Sequence, residues 1–410
     1  MTSETPVLRV LREPVVWAAF LLGLILRLWL SWLRPLLGDE VGTWIYMPNS
    51  YRMLFTSFID PWLTMGPFIA CVKLFAALFG ESPFVMRLPV VVIGALGVPA
   101  VAGLVSRFGG GRTAVWLAAL LVAVNPYLIS FSANLRSYAI ILAFAPWATL
   151  ILADWLREPS WRKGWWFGIC CAIQFLFHFS SMYFIAALGA VALVFCLVVP
   201  GRPFTRPSPV QLLQLILPGA ICFAPVAWNY YGMLDNMMFF KTRWAGEAPG
   251  SVNYLAEMAG SYFARGWLVL PSLAALLGGW IAAVRKSAPV AIFTGTTIAV
   301  TLIMYAASGT QYYPWGSARL LIYLLPLFLA VIALGISWLG PRGAWLAAAV
   351  VLATWWPGLR DPYRDAVASP WRDVHAYFAR TLQADDVVVA PGNGHLHLLP
   401  GFRDLPGRLV

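Results

Sequence analysis

Long apolar runs, each roughly 18 residues or more, recur from one end of this chain to the other, and they decide its fold class. A run of that length crosses a hydrocarbon core of ~30 Å as an α-helix. Composition supports the same reading: 60% of the 410 residues are hydrophobic and only 11% are charged, too few to cover a water-facing surface. The expectation is an all-α, polytopic membrane protein. Candidate spans lie at roughly 14–33, 88–106, 113–131, 136–156, 164–179, 181–199, 210–230, 266–284, 288–307, 319–338 and 342–357, so about eleven helices.

Charge then orients the helices. The alternate connectors carry Arg107 and Arg112, then Arg157, Arg162 and Lys163, then Arg202 and Arg206, then Arg285 and Lys286, then Arg342. By the positive-inside rule these connectors, with Arg9 and Arg12, lie in the cytoplasm, and an odd number of spans sends the C-terminus outside. The +11 net charge thus reads as topology and contact with anionic lipid, not as a nucleic-acid surface. The first span has no small-residue cleavage site after a short apolar core, which favours a retained helix over a signal peptide.

On this layout residues 1–357 form the membrane domain, with outer loops at 34–87 and 231–265, and residues 358–410 form a short extracytoplasmic segment. The apolar piece Pro67 to Phe79 is short and carries Lys73; read as a span, it would also turn Arg107 and Arg112 outward. It is therefore expected to lie in the interface, as is the segment from Asp39 to Phe58, broken at Pro48. The tail is expected to hold a helix (Trp371 to Leu382), a turn at Ala384-Asp385-Asp386 and a strand (Val387 to Ala390), packed on the outer loops. The five cysteines sit in apolar surroundings without metal or disulfide spacing, and packing is the favoured role.

Chemistry is sought where ionisable groups stand in this apolar chain. Asp39 and Glu40 stand side by side just beyond the first span. Two roles fit an acidic pair there: capping a helix N-terminus, or general-base work on a hydroxyl. Adjacent residues on a helix diverge by ~100°, so the two carboxylates are assigned different roles, Asp39 the base and Glu40 an orienter or sugar ligand. The outer face also gathers Arg34, Arg52, Lys73, Arg87, Lys241, Arg243, Arg265 and Arg319, with Arg27 and Arg136 near the same side. So many cations outside run against the positive-inside trend and suit a lipid phosphate, although single ones also snorkel to headgroups. His178 interrupts two spans near the outer side, and packing competes with a site role for it. His375, His395 and His397 lack the partners of a metal site, and no phosphate-binding or hydrolase motif occurs in a usable setting.

The order of these features resembles the GT-C glycosyltransferases of the protein O-mannosyltransferase and lipid A aminoarabinose transferase type (family 39). The resemblance rests on Arg27 late in the first span, Asp39-Glu40 opening the outer loop, a Pro-containing helix from Met65-Gly66-Pro67-Phe68 to Phe79-Gly80, and Arg87-Leu88-Pro89. It continues through Arg136-Ser137-Tyr138-Ala139, His178, Tyr313-Pro314 and Arg319 to Pro326, and covers about residues 14–340. Met65-Gly66-Pro67 stands where many relatives have His-Pro-Pro, and residues 132–135 carry no acid before Arg136.

The resemblance implies a polyprenyl-phosphate monosaccharide donor, an acceptor hydroxyl on a lipid, polysaccharide or protein, and inversion at the sugar. Asp39 and Glu40 are then the catalytic pair, and Arg27, Lys73, Arg87, Arg136, Tyr138, His178 and Arg319 bind donor phosphate or substrate. No cofactor is required, although some members use a divalent metal that Asp39-Glu40 would help bind. The implied location is the bacterial inner membrane, with the site outside. A flippase of lipid-linked sugars and a non-catalytic scaffold are the competing readings; the absence of repeat halves and of ionisable residues at span centres weighs against the flippase.

Overall fold

The computed structural model describes residues 10, 12–36, 39–56, 65–198, 204–231, 254–308, 317–383, 385–388 and 408–409. Lys241, Arg243, Tyr313, Pro314, His395 and His397 lie outside them, as does the side chain of His375.

The described chain is helical almost throughout. Its first half runs α1 (Pro14–Leu33), α2 (Asp39–Tyr46), α3 (Tyr51–Thr56), α4 (Gly66–Phe79), α5 (Pro83–Ala95), α6 (Gly97–Arg107), α7 (Arg112–Val124), α8 (Pro126–Ser132), α9 (Tyr138–Arg157) and α10 (Trp161–Phe177). The second half runs α11 (Ser181–Leu197), α12 (Pro209–Tyr231), α13 (Tyr254–Tyr262), α14 (Leu270–Lys286), α15 (Ala288–Ala307), α16 (Ser317–Leu320), α17 (Leu325–Ser337), α18 (Gly340–Val367) and α19 (Pro370–Thr381). Val387–Val388 pairs in parallel with Arg408–Leu409, so the expected strand is two residues long in the described chain.

Every candidate span falls on a helix or a helix pair, and the protein is a multi-pass membrane protein. Among the described residues six helices are long and apolar enough to cross a bilayer, or seven if α7 and α8 form one bent span. The short apolar piece expected in the interface is α4. At 14 residues it is about 21 Å long, less than a hydrocarbon core. Its Phe68, Ile69, Val72 and Ala76 are buried while Leu74, Leu78 and Phe79 are exposed, so one side packs against the protein and the other does not. The segment from Asp39 divides into α2 and α3 at the turn around Pro48.

Small residues bring the central helices close. Gly279 of α14 meets the Val331 carbonyl of α17, and Gly335 meets Gly279 in return; neither position has room for a Cβ. Alanine and leucine dominate the main core, which joins α6, α7, α9 and α17. At the end of α9 away from Asp39, Arg107 and Asp154 form a largely buried ion pair.

Three expectations need correction. The apolar run 113–131 is not one straight helix: α7 and α8 bend by 53° at Asn125–Pro126. Pro126 has no N–H to offer the Val122 carbonyl, and Asn125 starts α8 afresh by accepting from Leu128 N at 3.0 Å. The last span does not stop at 357 either. Helix α18 continues through Pro357 and Pro362 to Val367, and Tyr363 Oη donates to the Leu26 carbonyl of α1 at 2.7 Å. The boundary set at 357 therefore falls inside a helix. Cys71, expected to be packed, is exposed.

Candidate active site

The site grows from the end of α1. Helix α2 begins at Asp39, and the ~100° step between neighbours sends its two acids to opposite environments. Glu40 is fully buried. Its Oε1 accepts from Arg87 Nε and its Oε2 from Arg87 Nη2, both at 2.7 Å, and Oε1 also accepts from Leu135 N at 2.7 Å. Arg87 spends its remaining N–H groups on the carbonyls freed at the end of α1: Ser31 at 3.0 Å, Arg34 at 2.5 Å and Pro35 at 2.8 Å. Burial pushes the Glu40 carboxyl up, but Arg87, its hydrogen bonds, Arg34 and the Leu135 N–H together hold it below the ordinary carboxylate range.

Asp39 faces outward, its side chain 45% exposed. Its Oδ2 accepts from Arg319 Nη1 at 2.9 Å, and its backbone carbonyl accepts from Arg136 Nη1 at 3.2 Å. Residues 39, 136 and 319, far apart in sequence, thus meet at one point. His178 lies in the turn between α10 and α11, its ring centroid 5.1 Å from that of Tyr138 and its Nδ1 2.8 Å from Ser180 Oγ. Burial, then the charges of Arg136 and Arg319, push His178 down to about 3, so it is neutral at physiological pH.

Both arginines at Asp39 are positioned by the same device. The residue before Arg136 is Leu135; its N–H goes to Glu40 and its carbonyl accepts from Thr43 Oγ1 at 3.0 Å. The residue before Arg319 is Ala318; its N–H meets Glu257 Oε1 at 3.4 Å and its carbonyl accepts from Tyr262 Oη at 2.8 Å. A carboxylate and a hydroxyl grip the backbone in each case and fix the direction in which the next side chain leaves.

Other sequence candidates are engaged elsewhere. Arg27 is buried and donates to the carbonyls of Gly23 at 2.8 Å, Ala123 at 3.1 Å and Val122 at 3.5 Å, satisfying the helix break before Pro126. Lys73 Nζ donates to the Asn49 carbonyl at 2.7 Å and sits 5.1 Å over the Tyr51 ring, tying α4 to the turn after α2. Arg87 serves Glu40. Among the described residues, only Arg136 and Arg319 of the named site arginines reach Asp39. A metal at the acidic pair would rest on Asp39 alone, because Arg87 and Leu135 occupy both Glu40 oxygens. Among the described residues no group of three His, Cys, Asp or Glu side chains is placed to hold an ion.

Thr43, Glu257 and Tyr262 were not singled out as site residues. Glu257 had a signal, an acid in an outer loop of a chain with few acids; the hydroxyls had none, because their partners are backbone groups far along the chain.

Residues 65–228 match the family model for dolichyl-phosphate-mannose-protein mannosyltransferase. That stretch holds Lys73, Arg87, Arg136, Tyr138 and His178; Arg27, Asp39, Glu40 and Arg319 lie outside it. No curated protein matches the sequence. Among solved structures, ArnT from Cupriavidus metallidurans bound to undecaprenyl phosphate is similar with a TM-score of 0.63 at 13% identity, over 96% of this chain and 85% of that one. The apo oligosaccharyltransferase of Archaeoglobus fulgidus gives a TM-score of 0.54 at 15% identity, over 97% and 64%. The arabinofuranosyltransferase AftD from Mycobacteria gives 0.55 at 16% identity, over 96% and 31%. At these identities the likeness is one of fold, and it is the fold that the order of motifs pointed to.

Proposed function

From the premise that this chain has the GT-C membrane glycosyltransferase fold of the ArnT and protein O-mannosyltransferase type, we propose that it transfers a monosaccharide from a polyprenyl-phosphate donor to an acceptor hydroxyl at the outer face of the membrane. One observation carries the reading: a half-exposed carboxylate, Asp39, lies 2.9 Å from Arg319 and is backed by Arg136, whose Nη1 donates to the Asp39 backbone carbonyl. The fold likeness to a protein solved with undecaprenyl phosphate supports a lipid-phosphate donor.

The donor tail lies between helices and its phosphodiester, a monoanion that gains charge as the sugar departs, takes Arg319 and Arg136 as two planar donors. Asp39 accepts the proton of the acceptor hydroxyl. The hydroxyl oxygen then bonds to the anomeric carbon while the bond from that carbon to the phosphate oxygen breaks, and the arginines hold the departing phosphate. Attack opposite the leaving group inverts the anomeric configuration. Glu40 does not meet substrate in this scheme; through Arg87 and Leu135 it sets where Asp39 and Arg136 point. About eleven spans, with the N-terminus cytoplasmic and the site outside a bacterial inner membrane, complete the proposal.

The test incubates purified protein with radiolabelled polyprenyl-phosphate sugars and candidate lipid, glycan and peptide acceptors. Wild type is expected to release free polyprenyl phosphate and label an acceptor; Asp39→Asn is expected to do neither. Equal transfer by both proteins removes the base from the scheme. Lipid movement between leaflets without transfer points instead to a flippase.

A further inference from the structure

The 53° bend between α7 and α8 is held at a cost. Arg27, an arginine buried inside the bundle, is spent on the carbonyls the bend leaves open. Its effect is to turn one face of α8 across the Asp39 end of the bundle. Leu128, Ile129, Ser132 and Ala133 on the other side of that helix are buried. Tyr127 and Phe131, one helical turn apart, and Asn134, just beyond the last turn, stay half-buried on the open side.

The rings on this face form a series. Tyr262 lies 5.2 Å from Tyr127, Tyr127 4.4 Å from Phe131, Phe131 5.0 Å from Tyr138, and Tyr138 5.1 Å from His178, centroid to centroid. Tyr127 lies within electrostatic reach of Arg319, which holds Asp39. Asn134 Oδ1 is buried and has no hydrogen-bond partner. An aromatic strip thus leads to the arginine–carboxylate pair and ends beside an unused acceptor.

A lipid tail does not suit this face, because the unpaired amide oxygen and the charges beside it demand polar partners. A sugar ring does. Its C–H face is apolar and stacks on an aromatic ring, while its hydroxyls donate at the edge. We propose that Tyr127 and Phe131 form the platform on which the transferred sugar of the donor lies, with Asn134 accepting from one of its hydroxyls. This rests on the glycosyl-transfer reading. It adds that sugar recognition and phosphate recognition are separable, the first on α8 and the second on Arg136 and Arg319.

The test measures binding of two ligands to purified full-length protein: a polyprenyl-phosphate sugar and the same polyprenyl phosphate without sugar. Phe131→Leu, which keeps an apolar side chain but removes the ring, is expected to weaken the glycosylated lipid about tenfold and to leave the bare phosphate unchanged. Phe131→Tyr is expected to restore the difference, and its binding shows that the position tolerates change. In turnover the loss should appear in KM for the donor more than in kcat. Equal binding of both lipids by Phe131→Leu and wild type overturns the platform. Equal loss of both lipids, rescued by Phe131→Tyr, makes the ring a support of the phosphate site and also overturns it. If wild type binds neither lipid, the glycosyl-transfer reading itself fails, a different outcome from either.

Discussion

Two arginine–carboxylate pairs stand one residue apart on α2 and are built for opposite ends. Glu40 and Arg87 are shut off from solvent, and each polar atom of the Glu40 carboxylate is taken. Asp39 and Arg319 meet at nearly the same distance, but the Asp39 side chain is 45% exposed and the Arg319 side chain 19% exposed. The first pair is a staple: it joins the end of α1, α5 and the turn before α9, and its four partners leave nothing to offer a ligand. The second is part-exposed toward the face on which Arg136 also lies. Distance alone does not separate structure from chemistry here; burial and the number of remaining partners do.

The comparison breaks first at Asp39. General-base catalysis is typically worth ~10²–10⁴ in rate, so Asp39→Asn should reduce sugar transfer by about that factor while the thermal unfolding midpoint stays near that of wild type. A large drop in stability with Asp39→Asn would make both pairs staples. Glu40→Gln is the mirror experiment. Removing one partner of a buried ion pair typically costs ~3–5 kcal/mol, because the other charge is left uncompensated. Glu40→Gln and Arg87→Met should each lower the yield of folded protein and the melting temperature in detergent, and the double variant should recover part of the loss. Normal folding with lost transfer in Glu40→Gln would move Glu40 into the chemistry.

A smaller effect is expected at Arg319. Replacing it with Ala removes one of two phosphate donors and should weaken binding of bare polyprenyl phosphate about tenfold, as read by competition with the glycosylated donor. Because a part-exposed pair contributes little to folding, the melting temperature should hardly move. Arg27→Met offers the contrast: its guanidinium serves carbonyls at the α7–α8 bend, so folding should suffer and the phosphate affinity of the protein that does fold should not.

How much of this was legible beforehand follows from the range of the forces involved. Helix positions were, because an apolar run of membrane length has few other uses. That Asp39 and Glu40 would part company was also legible, from the angle between neighbours on a helix. Which of the two would be buried was not: it depends on Arg87, 47 residues on, turning inward at α5 rather than outward to lipid phosphate. The same gap explains Arg27. In sequence it is one more cation near the outer side, and only the bend at Asn125–Pro126 shows what it satisfies. That bend was open to inspection, since an Asn-Pro step inside an apolar run signals a helix boundary, but continuous hydropathy concealed it. The grips on Leu135 and Ala318 were beyond reach, because backbone groups carry no sequence signature.

The smallest expected effect concerns acid. His178 is pushed down to about 3 by burial and by Arg136 and Arg319, from an ordinary value near ~6.5. Between those values the unfolded chain binds a proton that the folded one refuses, so stability falls as pH drops below ~6.5, by about 2 kcal/mol at pH 5. Glu40 works in the same direction in a lower window. Its carboxyl is held below the ordinary range, so its contribution is complete above ~4.3 and is lost as pH falls through the lowered value. The melting temperature of wild type should therefore begin to decline near pH 6.5, whereas His178→Asn should stay level to about pH 4.5 before Glu40 takes effect. The pH–rate profile of transfer should show no step near 6.5 in wild type, because His178 does not change charge in the folded protein there. If His178→Asn declines from pH 6.5 as wild type does, burial and the two arginines do not hold the ring neutral. His178 would then belong with the exposed, exchangeable groups around Asp39 instead of with the fixed ones around Glu40.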